Sequence, residues 1–567
     1  MLTPGPHEVA YFSMEVALED SIPTYAGGLG VLAGDTLRAA ADLGIPLIGV
    51  TLLYRKGYFR QHLDESGRQT ESAMGWNPEE KLELMKPVIT VQLEERDVNV
   101  RAWRYKLEGI SGDVVPVYLL DTLVEGNTPE DQQLTDYLYG GDDHYRLCQE
   151  IVLGMGGVAL LPRLGHSHIR SYHMNEGHSA LLTLALLKQH LNGRHLEEST
   201  IEDVHAVRDK CVFTTHTPVP AGHDQFSPDL VRRVLGAEFC AGLARTHACP
   251  DGQLNMTQLA LYGSRYINGV AMQHGEVSRG MFPTYPVRAI TNGVHAVRWT
   301  SPAFAALFDR HIPEWRRDNL YLRYAIGIGL EEILSAHREA KQALFVEVER
   351  RTGHKLDASV LTIGFARRAA TYKRADLVFT DLERLKAIDR NVGQIQLIFG
   401  GKAHPKDEGG KNVIQHVYAA AKALDGAVPV VYLEDFDCAL ARLVCSGSDL
   451  WLNTPERPHE ASGTSGMKAA LNGVPSLSVL DGWWVEGCLE GSTGWSIGES
   501  DEPPDTASSE AASLYAKLEH VIVPMYYGRI NAYAKVMRNA IAINGSFFNV
   551  QRMVSQYYAN AYFPAES

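Results

Sequence analysis

Glu460-Ala461-Ser462-Gly463-Thr464-Ser465-Gly466-Met467-Lys468-Ala469-Ala470-Leu471-Asn472-Gly473 reads as a tight turn running into a short helix. Ser462 to Gly466 can bend sharply and expose backbone N–H groups, Met467 to Leu471 are good helix formers, and Asn472-Gly473 is a stop signal. This reading puts Lys468 in the first helical turn. A cation there opposes the helix dipole by about 0.3–1 kcal/mol, so a bound anion or a covalently neutralised amine would explain the placement. A surface lysine after a flexible loop is the alternative. A nucleotide P-loop is excluded, because the glycines are too close together and no Ser or Thr follows Lys468 to hold magnesium.

Outward from this stretch, apolar runs recur at Val360–Ala366, Ile395–Phe399, Val428–Leu433, Leu450–Leu452 and Pro475–Leu480, with helical stretches between them. Such alternation predicts a parallel, doubly wound sheet. The runs exit through Arg367-Arg368, Gly400-Gly401-Lys402, Glu434-Asp435, Asn453-Thr454 and Asp481-Gly482, so polar and glycine residues collect along one edge, where a ligand crevice belongs. Arg367, Arg368, Lys373 and Arg374 crowd the turn into a helix predicted over Ala375–Ile388. Repulsion and the dipole disfavour this unless anions compensate. Two phosphates would do so, through charge-assisted contacts of about 1.5–3 kcal/mol each. A solvated basic turn is the alternative.

The N-terminal half opens on the strand-like VAYFSMEVAL, the glycine turn Ala26-Gly27-Gly28-Leu29-Gly30, a helix through Asp35 to Leu43 and a strand over Ile45–Leu53. The turn is a second candidate anion cradle or simply a tight connection. A β-rich insertion is expected over 87–122, and a polar loop at Tyr137–His144, able to gate a cleft, ahead of a helix starting near Tyr145. His166, His168, His173 and His178 lack the partner spacing of a metal site. Cys211–Pro218 reads as a buried strand ending in polar residues, and Leu261–Met281 as a helix with glycine breaks. A long helix is expected over Leu330–Arg351, a surface connection at Glu499–Ser509, and helical runs near 511–523, 529–542 and 549–561.

The chain has 567 residues, 45% hydrophobic and 21% charged, enough for two or more globular domains. A formal net charge of -15 argues against nucleic-acid or anionic-membrane binding. Seven scattered cysteines without a CxxC pair fit free thiols in a reducing compartment, and no apolar run is long enough to span a membrane. A cytoplasmic enzyme is expected.

The string EASGTSGMKAALNGVPSLSVLDGWWVEG resembles the pyridoxal-phosphate lysine motif of the α-glucan phosphorylases, the glycogen, starch and maltodextrin phosphorylase family. Further matches lie at residues 10–35, 210–220, 290–299, 362–374 and 398–405. The resemblance implies an α/β, two-lobed glycosyltransferase B-type fold: Rossmann-like domains over 1–300 and 301–545, an active-site cleft between them, and a helix at 546–567 crossing back to the first.

It implies that Lys468 carries pyridoxal 5'-phosphate as a Schiff base and acts as an anchor, not a nucleophile. Thr464, Ser465, Gly466, Arg367, Gly28 and Trp299 would also contact the cofactor. Arg368 and Lys373 would bind inorganic phosphate, and the His216 carbonyl would face the transition state. His178, Glu176, Asn292, Tyr372, Glu460, Ser462 and Gly463 would bind substrate. Two departures from the family pattern are Glu176, where Asp is common, and Phe436-Asp437, where a tyrosine and a basic residue often lie near the cofactor.

The implied reaction is retaining phosphorolysis of α-1,4-glucan to α-glucose 1-phosphate, with the cofactor working through its phosphate. A nucleotide-sugar-dependent glucan synthase on the same fold is the rival that the AGGLG turn alone would permit; a catalytically silent glucan-binding protein is a rival of another class. The partners implied are α-1,4-glucan and inorganic phosphate, with a homodimer left open. A phosphorylation-controlled regulatory arm is expected to be absent.

Overall fold

The computed structural model describes residues 8–219, 222–498 and 507–563, so 499–506 of the expected surface connection lie outside it. Nine strands form the first sheet: β1 (Glu8–Ser13), β2 (Leu47–Leu52), β3 (Glu83–Leu93), β4 (Arg96–Glu108), β5 (Val114–Asp121), β6 (Ile169–Asn175), β7 (Cys211–Thr214), β8 (Tyr266–Gly269) and β9 (Arg288–Ala289). Their spatial order is β9-β8-β7-β6-β1-β2-β5-β4-β3. β1 sits between two parallel neighbours and is buried at every position after Glu8, which is why it reads as an unbroken apolar run.

Two expectations need correction here. The region 87–122 is not a separate insertion: β5 pairs parallel with β2, and the antiparallel strands β4 and β3 extend the same sheet to its edge. Leu261–Met281 is not one helix. A helix ends at Tyr262, the buried strand β8 pairs with β7 and β9, and a second helix runs over Met272–Met281. Four buried residues are too few to show a strand period against helical flanks.

The second sheet is entirely parallel: β10 (Leu361–Ala366), β11 (Ile395–Gly400), β12 (Val430–Leu433), β13 (Leu450–Asn453), β14 (Ser476–Val479) and β15 (Gly494–Ile497). The order β12-β11-β10-β13-β14-β15 reverses direction between β10 and β13, a switch point that opens a crevice at their carboxyl ends. The helix expected over Ala375–Ile388 begins later, at Leu382, where the Asp381 side chain accepts the Arg384 N–H. The residues before it form two short 3-10 turns, with Arg374 left-handed at φ 46°. The basic cluster therefore lies in an irregular connection and not on a helix N-terminus.

The carboxyl edges of the two sheets meet. A hairpin from the first half, Arg60–Leu63 and Gln69–Ser72, docks onto the second: Gln61 Nε2 donates to the Gly401 carbonyl at 2.9 Å and Gln69 Nε2 to that of Ala403 at 2.9 Å. The chain also returns. Helix Val550–Tyr557 buries Val550, Met553, Val554 and Tyr557 in the same cluster as Val9, Tyr11, Leu37 and Val212 of the first sheet. No helix among the described residues is long and apolar enough to cross a membrane.

A polar network fastens this returning segment. His173 bridges the Tyr562 hydroxyl (2.7 Å) and Thr214 Oγ1 (2.8 Å), while the Tyr557 hydroxyl accepts from Asn268 Nδ2 (2.8 Å) and contacts Thr214 Oγ1 (3.0 Å). Burial pushes the His173 imidazole down to about 3, so it is neutral at physiological pH. Tyr557→Phe would leave buried donors without an acceptor and is expected to cost about 1–3 kcal/mol, read as a lowered melting temperature. An unchanged melting temperature would show that the network does not hold the segment.

Candidate active site

The helix built by the 460–473 stretch runs over Thr464–Leu471, and Gly463 precedes it in the left-handed region at φ 88° and ψ 51°. Lys468 is thus the fifth helical residue. It lies in the last turn rather than the first, and the dipole objection to a cation does not apply to it. The helix starts earlier than expected because the glycine makes the whole turn in one residue. No side chain caps its N-terminus, so the first N–H groups, from Thr464, Ser465 and Gly466, are available to a ligand. Gly466 must be glycine, since a Cβ there would lie 2.7 Å from the Trp483 ring.

Lys468 is only 7% exposed, with Nζ 4.0 Å from the centre of the Trp299 ring, and its amine makes no hydrogen bond or ion pair with another described residue. Burial lowers its pKa, against the opposing pull of Cys445 and Asp35. Its surroundings are rigid. Asn472 accepts the Ser301 N–H (2.7 Å) and donates to the carbonyls of Trp299 (2.9 Å) and Lys468 (3.0 Å), and Asp35 accepts the Trp299 indole N–H at 2.7 Å. One asparagine therefore joins the lysine helix to the segment carrying the ring beneath its amine.

At the switch point two of the expected phosphate residues, Arg367 and Lys373, come together. Glu460 Oε2 lies 2.7 Å from Arg367 Nη1 and 2.5 Å from Lys373 Nζ. Burial alone would raise the Glu460 carboxyl, but Arg367 and Lys373 outweigh it and hold the group at about 2. Arg368 projects elsewhere. It remains solvent-exposed and lies in the electrostatic reach of Tyr372 and of Tyr58 and Glu15 from the first half of the chain. Burial would raise the Tyr372 hydroxyl, yet Lys373 and Arg368 lower it. Arg374 leaves the cluster, donating to the Thr454 and Pro455 carbonyls and pairing with Glu510 at 2.5 Å.

The glycine turn faces this group. Its helix begins at Gly28, and side chains built at Gly27 or Gly28 would meet nothing within 4 Å, so open space lies above them. Two of the amides are taken. Glu15 Oε2 accepts the Ala26 and Gly27 N–H groups at 2.6 and 3.0 Å, and Glu15 Oε1 accepts the Tyr139 hydroxyl at 2.9 Å. Sequence reading passed over Glu15; the available signal was a lone acid in the apolar run YFSMEVAL. Tyr139 belongs to the loop at 137–144, whose Gly141 carbonyl accepts from Lys406 Nζ at 2.8 Å. This loop therefore spans the two sheet edges, where Tyr58, Tyr139 and His404 present half-buried rings.

Of the expected sugar residues, Glu176 and His178 lie just past β6, beside His216 past β7, Asn292 follows β9, and Tyr372, Glu460, Ser462 and Gly463 lie in the second half of the chain. Glu176 adopts φ 76°, a strained value for a non-glycine residue, and spends its carboxylate on the His216 N–H (2.8 Å), the Thr217 hydroxyl (3.0 Å) and the Gly177 N–H (3.0 Å). It fixes the backbone of His216 from below. His216 Nε2 pairs with Asn175 Oδ1 at 2.7 Å, and burial pushes the imidazole down to about 3. His178 is held neutral in the same way, its pKa down to about 4. His178 Nδ1, Asn292 Oδ1 and Ser462 Oγ are buried without a hydrogen-bond partner. Buried polar atoms are rarely left unpaired, so these three are available to hydrogen-bond a ligand.

Phe436 packs against Gly400, where a Cβ would come within 2.8 Å of its ring, and Asp437 caps the next helix by accepting the Leu440 N–H at 2.8 Å. The departure at Asp437 thus has a local structural use. The four histidines disperse: His166 pairs with Glu8 and Tyr118, His173 with Tyr562, and His178 with Asp224.

Residues 240–490 match the family model described as carbohydrate phosphorylase. The chain is 40% identical to a maltodextrin phosphorylase of Thermococcus litoralis, over 98% of this chain and 70% of that protein. It is 35% identical to a glycogen phosphorylase of Mycobacterium tuberculosis, over 99% of this chain and 71% of the relative, and 34% identical to a glycogen phosphorylase of Aquifex aeolicus, over 98% and 86%.

Proposed function

Because the chain belongs to the carbohydrate phosphorylase family, we propose that it catalyses retaining phosphorolysis of α-1,4-glucans, releasing α-glucose 1-phosphate from the non-reducing end. The observation that carries this reading is the meeting of Arg367 and Lys373 on Glu460 at the switch point, with Arg368 next in the chain and no carboxylate partner, and an uncapped helix N-terminus one helical turn from a buried lysine amine without a partner. A pair of phosphates matches that charge distribution.

Pyridoxal 5'-phosphate fits the residues present. The Lys468 amine is buried, unpaired and depressed in pKa, so its neutral form is accessible for covalent attachment. Trp299 lies against it, Thr464 to Gly466 and Arg367 suit a phosphate, and the space over Gly28 leaves room for one. When bound, the cofactor supplies a phosphate group beside the substrate phosphate.

The protein's own residues then divide the work. Arg368 and Lys373 hold inorganic phosphate, Arg368 being the cation with no carboxylate partner and Lys373 sharing Glu460. So placed, the phosphate protonates the departing glycosidic oxygen. His216, neutral and fixed through Glu176, offers its carbonyl to the positive charge developing on the glucosyl unit. His178, Asn292, Ser462, Gly463 and Glu460 meet sugar hydroxyls, and Tyr372 lines the sugar site. We assign the two sheets to separate domains divided near residue 300, with the returning helix closing the first.

Incubation of maltodextrin with α-glucose 1-phosphate should lengthen the glucan and release phosphate, whereas uridine or adenosine diphosphate glucose should be inert. Elongation from the nucleotide sugar alone would overturn the proposal in favour of a synthase.

A further inference from the structure

Asp481 holds neither phosphate nor sugar in the assignment above, yet the stretch that does is built upon it. It leaves β14 at the carboxyl edge and is 1% exposed. Its Oδ2 accepts the Glu460 N–H and its Oδ1 the Gly482 N–H, both at 2.9 Å. Gly482 then turns through φ 56°, where a Cβ would lie 2.5 Å from the Ser462 carbonyl oxygen and 2.9 Å from that of Glu460. Trp483 follows, its N–H donating to the Ser462 carbonyl at 2.9 Å and its ring lying against Gly463 and Gly466. Asp481-Gly482-Trp483 is thus a template against which Glu460 to Gly466 is laid backbone to backbone.

The side chain set by this template is Glu460, which meets both Arg367 and Lys373. A shift of the Glu460 N–H moves a carboxylate that competes directly with phosphate for two cations. We infer that Asp481 is a positioning residue for phosphate binding, fixing Glu460 where its carboxylate shares Lys373 with the substrate phosphate. This rests on the phosphorolysis reading and deepens it.

The electrostatics add a testable signature. Burial and the neighbouring Glu460 charge raise the Asp481 carboxyl to about 7, against the opposing bonds from the Glu460 and Gly482 N–H groups and the charge of Lys373. A raised pKa means that the ionised form, the better acceptor for two N–H groups, becomes populated as pH rises through about 7. The grip on Glu460 should tighten between pH 6 and 8.

Asp481→Asn keeps one acceptor and turns an amide donor toward the other N–H. In the cofactor-loaded enzyme the KM for phosphate is expected to rise about tenfold, the loss of one charge-assisted bond. The cofactor content should stay within about twofold, and the KM for maltodextrin should rise by less than the KM for phosphate, through the sugar contacts of Glu460, Ser462 and Gly463. The ratio of phosphate KM values, variant over wild type, should grow from pH 6 to 8; ionisation of phosphate and cofactor is common to both proteins and cancels. In a double-mutant cycle, Asp481→Asn should add little to Glu460→Gln, because both act through one carboxylate.

An unchanged phosphate KM, a pH-independent ratio, equal rises in both KM values, or additive effects in the cycle would overturn the inference. Should Asp481→Asn not fold, Asp481→Ser, which keeps an acceptor at smaller volume, carries the same comparison. A wild type that does not consume phosphate overturns the phosphorolysis reading and this one together; an active wild type with an indifferent variant overturns this one alone.

Discussion

Lys468→Ala is expected to lose cofactor retention and to lower phosphorolysis by about 10²-fold or more, the cost of losing a group fixed to within an ångström. Borohydride reduction of the wild type followed by peptide mapping should place a pyridoxyl group on Lys468, and the variant should show neither tag nor cofactor absorbance. The physical basis is the uncompensated amine. A buried cation without an ion-pair partner is costly, and burial lowers the Lys468 pKa accordingly. Removing it should not destabilise the cofactor-free protein beyond the packing lost against Trp299. Lys468→Arg, which keeps a charge but cannot form the attachment, should fail as the alanine does. A variant with normal turnover and bound cofactor would refute the tether.

Arg368→Ala is expected to lower kcat/KM for phosphate by about 10²–10³-fold, the range found when one preorganised donor to a developing charge is removed, while bound cofactor is retained. Arg368 and Arg367 are adjacent but not equivalent. Arg367 shares buried Glu460 with Lys373, so its loss leaves a carboxylate short of a partner and should cost stability. Arg368 is exposed toward the opposite sheet and makes no ion pair with a described residue, so its loss should shift stability by no more than about 0.5 kcal/mol. Arg368→Lys should recover little, since an ammonium cannot reproduce the two-pronged contact of a guanidinium with phosphate. Near-normal activity in Arg368→Ala, or loss of cofactor from it, would contradict the assignment.

Five of the six strands of the second sheet were legible because they are apolar runs that end at glycine or polar residues, four of them buried at every position; the edge strand β15, GWSI, was not foreseen, because a glycine and a serine break its four residues. The concentration of cations in the basic turn could be read from residue type alone. What failed depended on backbone angles that sequence does not display. Gly463 completes a turn in one residue and moves Lys468 to the second turn of its helix, and Arg374 takes a left-handed conformation that postpones the next helix to Leu382.

Glu15 was passed over, and Asp481 was read only as a strand exit, for another reason. Each is a lone acid beside an apolar run, with no charged partner at helical or strand spacing, and the N–H groups they hold belong to distant turns: Ala26 and Gly27 for Glu15, Glu460 for Asp481. Only the fold brings them together. The buried strand Tyr266–Gly269 escaped because four residues between helices carry no period of their own.

The central claim is that the site sets one phosphate against another to cleave a glucan. It is tested most directly by incubating the cofactor-loaded protein with maltodextrin, with and without inorganic phosphate, and following the products by NMR. The account predicts α-glucose 1-phosphate, one molecule for each phosphate consumed, and no cleavage when phosphate is withheld. Release of free glucose or maltose independent of phosphate, or formation of the β anomer, would contradict it.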